Sequence, residues 1–539
     1  MNVSDVMIGH LAAAGVRHIF GYPGDPSVEF LEAARRAGLD FVLASREGTA
    51  GLMACAYGQL TGRPGVCLST LGPGATNLVN AVASAWLDRT PMLAISGQIE
   101  TKREPTFTHQ VIDHQLLFSP ISKWTVAVQP GTVAAIMRKA LRTAMAERPG
   151  PVHLTTAADV VGATASDDAI RLPPLAAQRA PQVFANVPHG GPAANPVARL
   201  RSARRPVIVA GLSAVWAGAG PAVRALAEAI GCPVVLSPMA KGLIDEEHAL
   251  FAGTLDMACN DFVWDFLRGA DLLLTVGFDA VELIKPWSLT APALHIDSVP
   301  NSDQIVPAEL ELVGDIATWC HALADALAAI EPRWTEAEIA RQRNELRARY
   351  AAGRVAGALN PSDVVDIVRA AMPRDTIVST DVGSHKLLVG QGWTTHAPRT
   401  LLTSNGLSSM GFGLPAAMVA KLLHPGRKVV CFTGDGGLAM VQAELRVAAS
   451  LKLGLVVVVF CDNSLNRIEL KQAARGYPPF GTRIDGTDIE GLARAMGCEG
   501  AMVDSSAALE AALAARVPGS STPLVLGARI DASQYTSQF

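Results

Sequence analysis

Short apolar runs recur through most of the chain, and they constrain its fold more than any other feature. PGVCLST, PMLAISG, PVIVAG, ADLLLTVG, DTIVST, RKVVCFTG and GLVVVVFC are each a few residues long, rich in β-branched side chains and bounded by Gly, Pro or a charge. Apolar character on every residue, rather than on alternate ones, marks a strand buried on both faces, as strands of parallel sheets are. Alanine-rich stretches of helical length separate the runs, and parallel strands need such crossovers. The expected fold class is therefore α/β, built from doubly wound parallel sheets.

At 539 residues the chain is too long for one hydrophobic core. Two segments read as connections. Residues 161–195 are rich in Pro, Gly and Ala and lack periodicity, and residues 331–353 are densely charged and predict an exposed connecting helix. Cutting there leaves three domains, at residues 1–165, 190–330 and 355–539. A net charge of −4 without a basic block speaks against nucleic acid or an anionic membrane as partner. The first residues carry neither a basic stretch nor a long apolar one, so neither a signal peptide nor a transmembrane helix is expected. Eight cysteines are scattered without a CxxC pair, mostly in apolar runs, which fits buried reduced thiols and a cytoplasmic enzyme.

The most specific chemistry lies in the last third. RKVVCFTGDGGLAM reads as strand, tight turn and helix start. Gly434, Gly436 and Gly437 let the backbone approach a ligand closely, and the helix start favours an anion. Asp435 inside the turn would repel a phosphate unless a hard divalent cation stood between them. Asp462 follows 27 residues later, at the end of the apolar strand GLVVVVF, and offers the same metal a second oxygen. A lone GDG is a common glycine-rich turn; GDGG with Asp462-Asn463 at this spacing is far more specific.

That combination resembles the signature of thiamine-diphosphate enzymes. Over nearly its whole length the chain is similar to acetolactate synthases, the catabolic branch above all. The resemblance implies a pyrimidine-binding domain, a central domain and a diphosphate-binding domain, with thiamine diphosphate and Mg²⁺ as cofactors. It implies metal ligation by Asp435, Asp462 and the main-chain carbonyl of Ser464, with Asn463 as the alternative because most relatives use Asn. In the stretch Asp381 to His385, Ser384 and His385 match residues that touch the diphosphate. Met410 matches the bulky side chain that forces the cofactor into a bent shape, and Ser408 stands where relatives often carry Gly and where a carbonyl accepts from the aminopyrimidine.

In the first domain Glu47 follows the strand FVLAS and opens a helix; alone it would read as a favourable dipole interaction. Within REGTAGLMACAYGQLTGRPGV it resembles the family's activating glutamate, which hydrogen-bonds the pyrimidine N1′ and promotes loss of the thiazolium C2 proton. Gly72 to Asn77 predict a tight turn into a helix near the reacting carbon. Gln110, in THQVIDHQLLF, matches a glutamine that lines the substrate pocket. His109 and His114 flank it, as proton donors or as structural polar residues, and the adjacent His–His pair of simple pyruvate decarboxylases is absent.

The stretch Gly277 to Glu282 lacks the arginine with which FAD-binding relatives hold the flavin, which speaks against FAD. The reaction implied is decarboxylation of a 2-oxoacid followed by carbon–carbon bond formation. A non-ligating decarboxylase, a benzaldehyde-lyase-like enzyme and a flavin-dependent oxidase are the alternatives. Arg467 stands where acetolactate synthases often carry Met, and reads either as a cation for an acidic substrate or as a surface residue, free or paired with Glu469. A homo-oligomer, at least a dimer, is expected, because in the family the two catalytic domains at one cofactor come from different subunits.

Overall fold

In the computed structural model, which describes residues 1–167, 169–172, 182–185, 195–327, 331 and 333–539, every one of those apolar runs is a strand paired in parallel with its neighbours. The first sheet contains β1 (His18–Tyr22), β2 (Asp40–Leu43), β3 (Gly65–Ser69), β4 (Met92–Gln98), β5 (Trp124–Ala127) and β6 (Pro151–Ala157). Their order is β2-β1-β3-β4-β6-β5, parallel throughout. All residues of β4 and β6 are buried, whereas the edge strand β5 is not, which is why β5 left a weaker mark in the sequence.

The second sheet contains β7 (Gln182–Ala185), β8 (Pro206–Ala210), β9 (Val234–Leu236), β10 (Phe251–Thr254), β11 (Leu272–Val276), β12 (Ala293–Asp297) and β13 (Leu310–Val313). Its order is β10-β9-β8-β11-β12-β13-β7, with β7 antiparallel. Without β7 this is the order of dinucleotide-binding folds, and it reverses direction between β8 and β11. The third sheet contains β14 (Ile377–Thr380), β15 (Leu401–Thr403), β16 (Val429–Gly434), β17 (Val456–Cys461), β18 (Glu499–Val503) and β19 (Leu524–Arg529). Its order, β15-β14-β16-β17-β19-β18, repeats that of the first sheet strand for strand.

By packing, the chain forms two compact units that do not follow chain order. One comprises Met1–Ala177, Leu407–His424 and Val441–Leu453 and holds the first sheet; the other comprises Gln178–Gly406, Pro425–Met440 and Gly454–Phe539 and holds the other two. In the first unit, helix Gly413–Leu423 packs against helix Glu47–Thr61, and both are rich in small buried residues that let their backbones approach.

The charged segment at 331–353 contains the expected helix, Glu336–Ala351. It is exposed on one face only: Ile339, Gln342, Leu346 and Tyr350 recur at helical spacing and are buried. Most of the expected linker at 161–195 lies outside the described residues. Among the described residues no helix is long and apolar enough to cross a membrane.

Candidate active site

β16 and β17 are parallel neighbours with Gly434 opposite Phe460, so Asp435 and Asp462 leave the sheet at the same carboxyl edge. Ligands of open α/β sheets bind at that edge. Asp435 is held by two backbone donors: Gly436 N–H to Oδ1 at 2.7 Å and Asn463 N–H to Oδ2 at 2.8 Å. Asp462 Oδ1 accepts the Ser464 N–H at 3.3 Å. No Lys or Arg pairs with either carboxylate among the described residues. Burial, and next the charge of Asp435, pushes the Asp462 carboxyl up to about 7; burial raises that of Asp435 as well. Two desolvated acids facing each other without a counter-ion suit a divalent cation with oxygen ligands. Asn463 sits at φ +55° with its side-chain oxygen directed toward Gly486, 3.5 Å from where a Cβ would lie there. Its backbone N–H, not its side chain, meets Asp435.

Beside this pair, helix Ser384–Gly392 begins at Gly383 with no capping side chain, so its first N–H groups remain available to an anion. The His385 ring lies between Gly383 and Gly434, whose Cβ positions would come 2.8 and 3.4 Å from its Cε1, and it stacks on Phe460 at 5.3 Å between ring centres. Burial pushes its pKa down to about 3, so the ring is neutral. Its Nε2 is buried without a hydrogen-bond partner. Ser384 Oγ donates to Asn466 Oδ1 at 2.7 Å. Gly437 must be glycine: a Cβ would come 2.8 Å from Oδ2 of buried Asp381. An uncapped helix start, an orphaned ring nitrogen, a glycine turn and paired acids form a set that fits a diphosphate bridged to a metal ion.

In the other unit Glu47 opens helix Glu47–Thr61 and is 7% exposed. Asn77 Nδ2 donates to its Oε2 at 3.1 Å, and a Cβ on Gly74 would come 2.9 Å from its Oε1. The turn is confined to Gly72, and the first residues of helix Pro73–Leu87 make room for Glu47 at Gly74 and hold its tip through Asn77. Gln110, at φ +61°, lies over Gly72, with its carbonyl oxygen 2.7 Å from that residue's Cβ position. Ser408 stands at φ +52°, a left-handed conformation that explains why glycine suits this place. Next to it Ser409 Oγ accepts from Asn80 Nδ2 at 2.7 Å, which fixes the backbone just before the half-buried Met410. Backbone strain of this kind collects at functional sites, and Gln110, Ser408 and Asn463 all carry it.

The flanking histidines differ. His109 is exposed beside Phe107, with ring centres 6.3 Å apart. His114 is buried, its Nδ1 is 3.0 Å from Ser96 Oγ, and Ser96 Oγ also lies 2.7 Å from His153 Nε2. Burial takes His114 down to about 4, which suits a structural network better than a proton donor.

Comparison with known proteins decides the family. Residues 1–117, 194–323 and 381–527 match the N-terminal TPP binding domain, the central domain and the C-terminal TPP binding domain of thiamine pyrophosphate enzymes.

The chain belongs to the thiamine pyrophosphate enzyme family.

It is 31% identical over 523 residues to a catabolic acetolactate synthase of Raoultella terrigena, covering 95% of this chain and 92% of that one. It is 29% identical to an acetolactate synthase of Bacillus subtilis (93% and 88% covered), and 30% identical to a probable 2-ketoarginine decarboxylase of Pseudomonas aeruginosa (92% and 89% covered). This is a thiamine-diphosphate-dependent enzyme of the acetolactate synthase type.

In this thiamine pyrophosphate enzyme a buried carboxyl sits where the strand order of the central sheet reverses direction. Glu282 Oε1 accepts the N–H of Leu212, the first residue of the helix after β8, at 2.9 Å, and that of Asp279 at 3.1 Å; Ser237 Oγ donates to Oε2. Burial pushes this carboxyl up to about 8. A dinucleotide's pyrophosphate would take the same helix start.

Arg467 is not paired with Glu469, which binds Arg483 at 2.9 Å. It is half-buried over the Phe539 ring, 4.5 Å from its centre, with no acidic partner among the described residues. Asp245, Glu247 and His396 also come within reach of one ion, but Arg374 pairs with both carboxylates. Nothing in the sequence marks the Glu282 or the Glu444 side chain as a site residue. Glu444 accepts from Ser45 N–H at 2.8 Å and from Thr49 Oγ1 at 2.6 Å, almost 400 residues away in the chain, and no local pattern signals such a contact.

Proposed function

We propose that the enzyme holds thiamine diphosphate through Mg²⁺ and uses it to decarboxylate a 2-oxoacid and join the remaining fragment to a second carbonyl. The observation that carries the cofactor reading is the pair of buried carboxylates, Asp435 and Asp462, without a cation beside the uncapped helix start at Ser384. When bound, thiamine diphosphate supplies a thiazolium carbon that can accept the electron pair left by bond cleavage beside a ketone.

The chain's own groups do the rest. Asp435, Asp462 and the Ser464 carbonyl take the metal. Ser384, His385 and the glycine turn of Gly434, Gly436 and Gly437 take the diphosphate, with neutral His385 offering hydrogen bonds rather than charge. Met410 shapes the cofactor and the Ser408 carbonyl accepts from its aminopyrimidine. Glu47 holds or shares a proton at the pyrimidine N1′, and Asn77 keeps that carboxyl in one orientation. Gln110 lines the place where substrate arrives, and Arg467, lacking an acid, is suited to a substrate carrying a second negative group.

Ligation is favoured over plain decarboxylation by two acetolactate synthases among the relatives; a relative named as a probable 2-ketoarginine decarboxylase keeps the second reading in play. A screen of 2-oxoacids, alone and in pairs, with products identified by mass spectrometry separates them. Carbon dioxide with a joined 2-hydroxy-2-oxo-alkyl product supports ligation; carbon dioxide with free aldehyde alone refutes it.

FAD is not part of the proposal, because the stretch Gly277 to Glu282 lacks the arginine with which FAD-binding relatives hold the flavin, and the Glu282 carboxyl takes the helix start after β8. The purified enzyme is expected to be colourless and flavin-independent, and a yellow preparation with stoichiometric FAD would overturn this. Glu47 and Asp435 belong to different compact units, and we place the enzyme among homo-oligomers, at least dimers, in which subunits share the cofactor. An active monomer by sedimentation contradicts that. Free cysteines, six of the eight buried, are consistent with a cytoplasmic enzyme.

A further inference from the structure

The start of helix Glu47–Thr61 is held by a second carboxylate. Arg46 at its N-cap makes no capping side-chain hydrogen bond, so the hold on this turn comes from elsewhere. Glu444 provides it from the start of helix Glu444–Ser450. A single oxygen, Oε1, accepts both the Ser45 N–H at 2.8 Å and the Thr49 hydroxyl at 2.6 Å, one on either side of Glu47 in the chain. The other oxygen, Oε2, is buried with no hydrogen-bond partner, and the residue is 0% exposed.

This is a costly way to hold a turn. A buried carboxyl with unused hydrogen-bonding capacity carries a desolvation cost. Burial accordingly raises the Glu444 carboxyl above its ordinary range. The cost falls at the one turn that presents Glu47, whose tip is fixed separately by Asn77 at 3.1 Å.

We propose that Glu444 is a positioning residue for Glu47: it fixes the backbone from Ser45 to Thr49 so that the Glu47 carboxyl is presented in one orientation. It works as a hydrogen-bond acceptor, not by carrying a proton. The inference rests on the assignment of Glu47 as the activating carboxylate. Glu444→Gln keeps an acceptor oxygen for both donors, whereas Glu444→Ala leaves the Ser45 N–H unpartnered and the Thr49 hydroxyl with only the Arg46 carbonyl, 2.8 Å away, a bond local to the turn.

The full chain is tested by two readouts, using Glu444→Ala, Glu444→Gln, Thr49→Val and Glu47→Gln. Hydrogen–deuterium exchange of the backbone over residues 44–52, without cofactor, reads the turn itself. NMR of C2–H/D exchange on bound thiamine diphosphate reads the consequence. In Glu444→Ala, amide exchange in the turn is expected to quicken, and C2 exchange to slow, each by about tenfold, with cofactor affinity little changed. Glu444→Gln is expected to restore both, with the wild-type pH profile. Thr49→Val, which removes one of the two donors, falls between, and it decides the matter with Glu444→Gln if Glu444→Ala does not fold. Wild-type C2 exchange in Glu444→Ala or Thr49→Val overturns the proposal, as does Glu444→Gln behaving like the alanine variant with a displaced pH profile. Glu47→Gln separates the two assignments: slow exchange there beside normal exchange in the Glu444 variants sinks only Glu444, whereas normal exchange in Glu47→Gln removes the role of Glu47 itself.

Discussion

The first and third sheets have the same strand order, yet their functional residues sit on different turns and have opposite chemistry. In the third sheet the turns after β14, β16 and β17 carry His385, Asp435 and Asp462, a set that suits a cation and the anion it bridges. In the first sheet the segments after β2 and β3 carry Glu47 and Asn77, a lone carboxyl with its tip held by an amide. On the proposed assignment one architecture serves binding at one set of strand ends and proton handling at another, and the difference lies in a few residues that follow the strands. Both sheets use glycine in the same way. Gly74 after β3 leaves room for Glu47, and Gly437 after β16 leaves room for Asp381.

The largest expected effect breaks the binding half. On the proposed assignment Asp435→Ala removes a metal ligand, and even the outer partners of metal ligands are worth about 10–100-fold in affinity. Thermal unfolding with and without Mg²⁺ and thiamine diphosphate checks it. Wild type gains stability from saturating cofactor, about 2.7 kcal/mol at a concentration 100 times Kd, and the variant is expected to gain almost none.

The next effect belongs to the activating half. Glu47→Gln is expected to slow C2 proton exchange on the order of 10²–10⁴-fold, the usual worth of a positioned acid or base. Melting of this variant should still respond to cofactor as wild type does.

A smaller pair sharpens the contrast. Gly437→Ala and Gly74→Ala each force a methyl against a buried carboxyl, that of Asp381 or of Glu47, at about 1–3 kcal/mol of overpacking. The first is expected to weaken cofactor affinity with exchange on the bound fraction preserved, and the second to slow exchange with affinity preserved. Equal effects of both substitutions on both measurements would erase the division.

Much of this was legible from residues that are neighbours in sequence. Seven apolar runs became seven strands because burial on both faces leaves no room for polar residues. That Asp435 and Asp462 come together was legible because each directly follows an apolar strand, and those strands are parallel neighbours. Contacts between distant segments were not. Glu444 reaches Ser45 and Thr49 only after helices meet, and its own surroundings, in VQAELRV, look like any amphipathic helix. Glu282 was quoted for the arginine missing beside it, but its burial at the helix after β8 depends on the strand order of the central sheet. Arg467 was read against its sequence neighbour Glu469, whereas Glu469 pairs with Arg483 and Arg467 with the ring of Phe539.

The division between the two sheets is tested most directly by calorimetric titration of thiamine diphosphate, in Mg²⁺, into Glu47→Gln and Asp435→Ala side by side. The account predicts wild-type affinity for Glu47→Gln and no measurable binding for Asp435→Ala. Wild-type affinity in Asp435→Ala, or loss of binding in Glu47→Gln alone, would contradict it.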